Sequence, residues 1–426
     1  MSNSERFQTI RTEIAGVSIH ELAAEFGTPT FVYDAARIHA QIDKLQSFDV
    51  IRYAQKASSN LAILDLCRER GVLVDAVSEF EIRRALAAGY PVAARDGGPP
   101  PIVYTADIFD RDVLDLVVAR AVHVNCGSPQ MIDQLGARSP GVGITLRINP
   151  GFGHGHSQKT NTGGESSKHG IWYEDIPDCV ERAARHGIRI VGLHMHIGSG
   201  TDFEHLSQVC HAMESAAKQA GDHLESISAG GGLPTRYRED DPSIDVDAYF
   251  RLWDKTRTRI GQRLSRPIGL EIEPGRYISA ESGYLISEIR AIKQMGKNLF
   301  YLVDAGFNNL ARPILYGAYH PISIVPADPA DTTERDEVDA VVAGPLCESG
   351  DIFTQEDGGY VATRKLPRAN VGEHLVIECA GAYAFVMGSN YNSKPLAAEV
   401  LIRDGEAELI RERQSFEDLI RGERIL

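Results

Sequence analysis

The chain has 426 residues, more than one domain usually holds, so two domains are the default expectation. Hydrophobic residues make up 43% and charged residues 24%, the balance of an ordinary soluble globular protein, and no apolar run approaches the ~18 residues a bilayer span requires. A formal net charge of −15 with no offsetting basic cluster argues against a polyanion such as nucleic acid as partner.

In chain order, the opening stretch MSNSERFQTIRTEIAG lacks the apolar core of a signal peptide, which gives a cytoplasmic reading. From about residue 48 to 275, short β-rich runs alternate with helical patterns, the signature of βα units and a parallel sheet. The candidate strands are Val50–Ala54, Val72–Val77, Ile102–Tyr104, Val122–Val124, Gly143–Ile148, Ile188–His196, Ser226–Ala229 and Ile268–Ile272. Helical stretches between them are punctuated by expected stops and starts: Ser59-Asn60 as a cap, and Gly71, Gly89 and Gly187 as terminators. Eight such runs suit an α/β fold with a closed (β/α)8 barrel, although an open doubly wound sheet has the same periodicity. Past about residue 283, stretches such as YLISEIRAI, LFYLVDAG, DAVVAGP and HLVIECA follow one another with few long helical segments, the pattern of a mostly β domain. The first 35 residues are too few to fold alone and join it. The expected organisation is a barrel over 36–282 and a β domain from 1–35 and 283–426.

The chemistry-bearing motifs sit at the ends of the candidate strands. In VIRYAQKASSN, Lys56 stands just beyond the first strand's C-terminal end, where barrels build their active sites. A lysine there can condense with a carbonyl compound if its surroundings suppress its charge; most lysines at strand ends are simply solvated. HMHIGSG places His194 and His196 on one face by the period of two. Paired histidines invite a metal reading, but no acidic or cysteine partner lies at ligand spacing, and a flat imidazole is also a good cover for an aromatic ring. SAGGGLP follows the seventh strand, where barrels commonly bind phosphate, and its three successive glycines let backbone N–H groups approach an anion. EIEPGRY follows the eighth: Glu271 and Glu273 share a face, Pro274-Gly275 turns the chain, and Arg276 offers a fork of donors to a phosphate or a partner to Glu273. The six cysteines (Cys67, Cys126, Cys179, Cys210, Cys347 and Cys379) lack CxxC pairing, which argues against disulfides and structural zinc.

Eight segments occur in series: YAQKAS, LRINPGFGHGHSQKTNTGG, GLHMHIGSG, SAGGGLP, EIEPGRY, DAGFNNLARPILYGAYHPI, GPLCESGDIF and GAYAFVMGSNYNSKP. Together they resemble bacterial diaminopimelate decarboxylases, members of the alanine-racemase-like (fold type III) family of enzymes that use pyridoxal 5'-phosphate (PLP). The resemblance runs from GTPTFVYD to the last strands. It implies that Lys56 is the lysine joined to the cofactor aldehyde, His196 the ring-stacking residue and Glu273 the partner of the ring nitrogen. It further implies a phosphate cradle of Ser199, Gly231, Gly232, Gly275 and Arg276, with Asp75, Glu81 and Arg147 near the site. For the substrate it implies Arg276, Arg312 and Tyr316 around its carboxylates, Glu348 for a distal ammonium, and Tyr383 reaching both substrate and phosphate. Cys347 resembles the family's candidate proton donor. The resemblance also implies a head-to-tail homodimer in which Cys347 and Glu348 serve the neighbouring active site.

The implied reaction is decarboxylation of meso-2,6-diaminopimelate to L-lysine, a small-molecule amino-acid substrate, with no metal, no nucleic acid and no membrane. The alternatives are a decarboxylase of ornithine, lysine, arginine or carboxynorspermidine, an amino-acid racemase, and a single-barrel PLP carrier. Arg312, Glu273 and the long C-terminal domain respectively count against these. Where the family has SKFG, NSRP and GAYGF, this chain has Ser167-Lys168-His169-Gly170, Lys394 in NSKP, and GAYAF.

Overall fold

A computed structural model describes residues 7–94, 97–153, 162–196, 202–328 and 335–426. They divide into two compact units, residues 39–234 with 242–278, and residues 1–38 with 235–241 and 279–426.

The first unit is an eight-stranded parallel barrel: β1 (Val50–Ala54), β2 (Leu73–Ala76), β3 (Ile102–Ala106), β4 (His123–Cys126), β5 (Gly143–Asn149), β6 (Arg189–His194), β7 (Ser226–Ser228) and β8 (Gly269–Ile272). Each pairs in parallel with the next in sequence. The ring closes where β8 pairs with β1, Glu271 opposite Val50 and Ile272 opposite Ile51, which removes the open-sheet alternative. The strands are almost wholly buried, as expected when helices cover the outside and side chains fill the inside. The interior carries a polar layer: Arg52 Nε donates to Glu271 Oε2 at 2.6 Å, and His123 Nε2 meets Thr145 Oγ1 at 2.8 Å. Glu271 thus belongs to the packed interior rather than the mouth, one step of the strand alternation below Glu273.

The local signals act as read. Asn60 caps helix Leu61–Glu69 by accepting from Ala62 N, and Ser78 caps Glu79–Ala87 by accepting from Glu81 N. Gly71, Gly89 and Gly187 follow their helices at positive φ.

The second unit is a mostly β domain. Its main path runs Arg364–Pro367, Glu337–Ala343, Asn298–Val303, Gly283–Met295, Thr30–Asp34, Ala398–Arg403 and Glu406–Arg411, with Ile322–Val325 and His374–Ile377 branching from it. Thr30–Asp34 lies antiparallel to Gly283–Met295 and parallel to Ala398–Arg403, so the N-terminal segment is built into this sheet. Helix Ile19–Phe26 packs Ile19 and Leu22 against Val32, Ile286, Val376 and Val400, all essentially solvent-free.

Candidate active site

Parallel strands bring all their C-terminal ends to one rim, so residues just past those ends converge whatever their distance in sequence. Lys56 stands on the turn Gln55–Ala57, two residues beyond β1; its neighbours Gln55 and Ala57 are buried, and its own side chain is exposed. It lies within electrostatic reach of Asp75, Glu81 and His196. Asp75 is 3% exposed, and burial, reinforced by the negative charge of Glu273, pushes its carboxyl up to about 6 against the pull of Lys56. Burial likewise pushes Glu81 up to about 7, although its Oε2 accepts Val77 N–H at 2.8 Å.

Glu273 follows β8 directly and is held on both oxygens. Oε2 meets His194 Nε2 at 2.8 Å, and Oε1 accepts from Ser228 Oγ at 3.1 Å. Burial alone would raise its pKa; the His194 interaction, with help from His196 and Ser228, instead holds it down to about 2. His196 Nδ1 accepts Gly231 N–H at 2.8 Å, which leaves its proton on Nε2. Burial, with Lys56 and Arg147 nearby, lowers its pKa well below the ordinary value, so this ring is neutral. Arg147, 8% exposed at the end of β5, is faced by Asp107, Glu273 and Asp75.

The glycine loop behaves differently from a row of free donors. Gly231 gives its N–H to His196, so what it contributes is close approach: a Cβ there would lie 2.6 Å from Glu273 O. Gly275 precedes Arg276, the first residue of the short helix Arg276–Ser279, and Gly232 lies at positive φ. Ser199 lies outside the described residues. Asp107, which no motif singled out, accepts from Gly170 N at 2.9 Å and meets His169 Nδ1 at 2.8 Å, so the histidine of SKHG has a partner.

The remaining candidates stand in the sheet unit. Arg312 opens helix Arg312–Tyr316, is 6% exposed, and has its guanidinium 5.1 Å from the ring centre of Tyr237. Tyr316, at the other end of that helix, is exposed. Cys347 and Glu348 are exposed at the tip of a turn whose base is pinned by Asp351, which accepts from Phe307 N and Leu346 N. Cys347 N–H donates to Asn392 Oδ1 at 2.7 Å; the other five cysteines are buried, and none of the six is in a disulfide. Tyr383 is half-buried at φ +56°, just after Gly381, where a Cβ would fall 1.8 Å from Ser279 O. Among the described residues no group of three or more His, Cys, Asp or Glu is placed to hold a metal ion, and no helix is long and apolar enough to cross a membrane.

The barrel rim therefore suits a ring compound bearing an aldehyde and an anionic tail. An amine, a neutral imidazole and an ionised carboxylate converge there beside a loop too tight for side chains. Two buried polar atoms, Asp75 Oδ1 and His194 Nδ1, have no hydrogen-bond partner among the described residues. The fold and this cluster define a barrel enzyme of the kind that binds a ring cofactor at its rim. Residues 35–280 match the model of the pyridoxal-dependent decarboxylase, pyridoxal binding domain. The diaminopimelate decarboxylase of Escherichia coli (strain K12) is 53% identical over 409 residues, 96% of this chain and 97% of that protein. A crystal structure of a diaminopimelate decarboxylase superposes with a TM-score of 0.91 at 54% identity, covering 94% of each chain. The Helicobacter pylori diaminopimelate decarboxylase complexed with L-lysine gives a TM-score of 0.82 at 29% identity, over 94% of this chain and 98% of that one. The chain belongs to the diaminopimelate decarboxylase family of pyridoxal-dependent decarboxylases, and its cofactor is PLP.

Proposed function

We propose that this protein decarboxylates meso-2,6-diaminopimelate at its D centre to give L-lysine and CO2, in the last step of lysine biosynthesis in the cytoplasm. One observation carries the reading: the likeness to diaminopimelate decarboxylases extends over nearly the whole chain, through both the rim motifs and the C-terminal ones. The H. pylori relative, bound to L-lysine, agrees with lysine as product.

PLP supplies an electron-poor ring that accepts the electron pair released as CO2 departs. The residues of this chain do the rest. Lys56 would provide the amine that tethers the cofactor, at the place where the substrate amine would react. Glu273 stays ionised at the ring-nitrogen end and keeps a proton there, which strengthens the ring as an electron acceptor. The uncharged face of His196 covers the ring without adding a competing cation. The narrow loop Gly230–Gly232, with Ser199, Gly275 and Arg276, takes the phosphate. Arg147, Asp75 and Glu81 set the charge around Lys56.

For the substrate, Arg312 offers a planar fork to the distal carboxylate, with Tyr316 at the other end of the same short helix. Glu348 accepts the distal ammonium, and Tyr383 and Arg276 complete the pocket. Cys347 delivers a proton to the carbon that lost CO2; Lys56 is the other candidate donor. Cys347 and Glu348 serve the neighbouring protomer of a homodimer, which accounts for their exposure within one chain.

The decisive experiment measures CO2 release from diaminopimelate, lysine, ornithine, arginine and carboxynorspermidine with PLP-loaded protein. Diaminopimelate should be the one good substrate; preference for a simple diamino acid would overturn the reading. Mixing inactive Lys56→Ala with inactive Cys347→Ala protein should restore part of the activity, and a mixture as dead as its components would remove the shared site.

A further inference from the structure

Two histidines reach the rim from the end of β6, and the mechanism above uses one of them. His194 is 1% exposed, and its Nε2 lies 2.8 Å from Glu273 Oε2. Its Nδ1 is buried with no hydrogen-bond partner among the described residues. An N–H buried without an acceptor is costly and a carboxylate oxygen needs a donor, so the hydrogen-bonding proton belongs on Nε2, donated to Glu273. The second oxygen of Glu273 accepts from Ser228 Oγ, which itself accepts Gly230 N–H at 3.1 Å. Glu273 N–H in turn donates to Gly230 O at 2.9 Å. The carboxylate is thus clamped between donors carried by β6 and β7, on a backbone tied to the same loop.

Other charges bear on this group. Asp75 opposes its ionisation, Arg147 lies in the same field, and the uncharged ring of His196 is close by. With a second buried carboxylate so near, a proton would settle on the pair unless a donor held one member ionised. We infer that His194 is a positioning residue: by donating from Nε2 it keeps Glu273 ionised and aimed at the ring-nitrogen end of the cofactor. It acts on the reaction only through Glu273, and the inference rests on the reading of Glu273 given above.

The test compares wild type, His194→Phe and His194→Gln, with Glu273→Gln identifying the Glu273 band in difference infrared spectra of isotope-labelled protein, with and without PLP. In His194→Phe a protonated carboxyl should be present at neutral pH in both forms, and kcat should fall about a hundredfold, the usual loss when one preorganised donor is removed, with KM little changed. The amide of His194→Gln restores a donor, so Glu273 should stay ionised and most turnover should return. A folded His194→Phe protein with Glu273 still ionised at neutral pH would overturn the inference. So would a His194→Gln protein whose Glu273 is protonated, a result that decides the matter even if the Phe variant fails to fold. Full activity in Glu273→Gln would sink the underlying reading of Glu273. An inactive Glu273→Gln beside a wild-type-like His194→Phe would sink this inference alone.

Discussion

The barrel rim and the CESGD turn of the sheet unit place reactive side chains in opposite ways. At the rim they are mostly buried and hold one another: Glu273 lies between His194 and Ser228, and His196 is tied to Gly231. In the turn the backbone is held, by Asp351 at its base and by Asn392 on Cys347 N–H, while the side chains of Cys347 and Glu348 stand exposed at its tip. Hydrogen bonds and charges act strongly where water is excluded and weakly where it is not. The rim is therefore preorganised by its own unit, whereas the side chains at the tip of the turn are not. On the proposed reading the first arrangement governs cofactor chemistry, and the second governs which substrate is accepted and where its proton comes from.

Substitutions can break that division or sharpen it. Lys56→Ala should lose the long-wavelength absorbance of bound PLP and more than about a thousandfold in turnover; an unchanged spectrum would break the rim half at its centre. Cys347→Ala should lower kcat by about a thousandfold or somewhat less, within the range for a general acid, while the cofactor spectrum stays intact. Full turnover in that variant would move the proton to Lys56. Arg312→Ala should cost about a hundredfold in kcat/KM for diaminopimelate, roughly 3 kcal/mol, with PLP affinity untouched. Substrate kinetics identical to wild type would remove Arg312 from the pocket.

The smallest effect concerns Glu81, whose pKa rises from 4.5 to about 7 on burial. A folded state that holds a proton more tightly than the unfolded chain loses stability as pH climbs from about 4.5 through about 7. Glu81→Gln, which cannot ionise, should raise Tm by about 2 °C at pH 8 and lose that advantage near pH 4.5. A pH-independent difference between the two melting curves would count against a buried, proton-binding Glu81.

Much of the barrel was legible, because buried parallel strands leave dense β-branched runs and helices leave caps. Asn60, Gly71, Gly89 and Gly187 each mark an end that the structure keeps. Closure was not legible: it rests on Glu271 and Ile272 meeting Val50 and Ile51, a pairing of distant segments that no local pattern encodes. The same limit hid the role of His194. A period of two put it on a face with His196, but its bond to Glu273 spans two strands that are not neighbours in the barrel, β6 and β8. In GGG the composition suggested free amides, whereas the path of the loop turns Gly231 N–H onto His196. Arg312 carried no local signal at all. Its environment comes from Tyr237, some 75 residues earlier in the chain, and only the family resemblance set it apart from a surface arginine.

The strand Thr30–Asp34 has a consequence for how this protein must be made. Its two flanking partners, Gly283–Met295 and Ala398–Arg403, are synthesised long after it. At roughly 5–20 residues per second, a ribosome needs tens of seconds to supply the second of them. Throughout that interval the nascent chain carries an apolar segment with at least one unsatisfied edge, a natural target for a holding chaperone. The barrel strands, each paired with its sequence neighbour, can assemble meanwhile, so the sheet domain is the part whose completion waits for Ala398–Arg403.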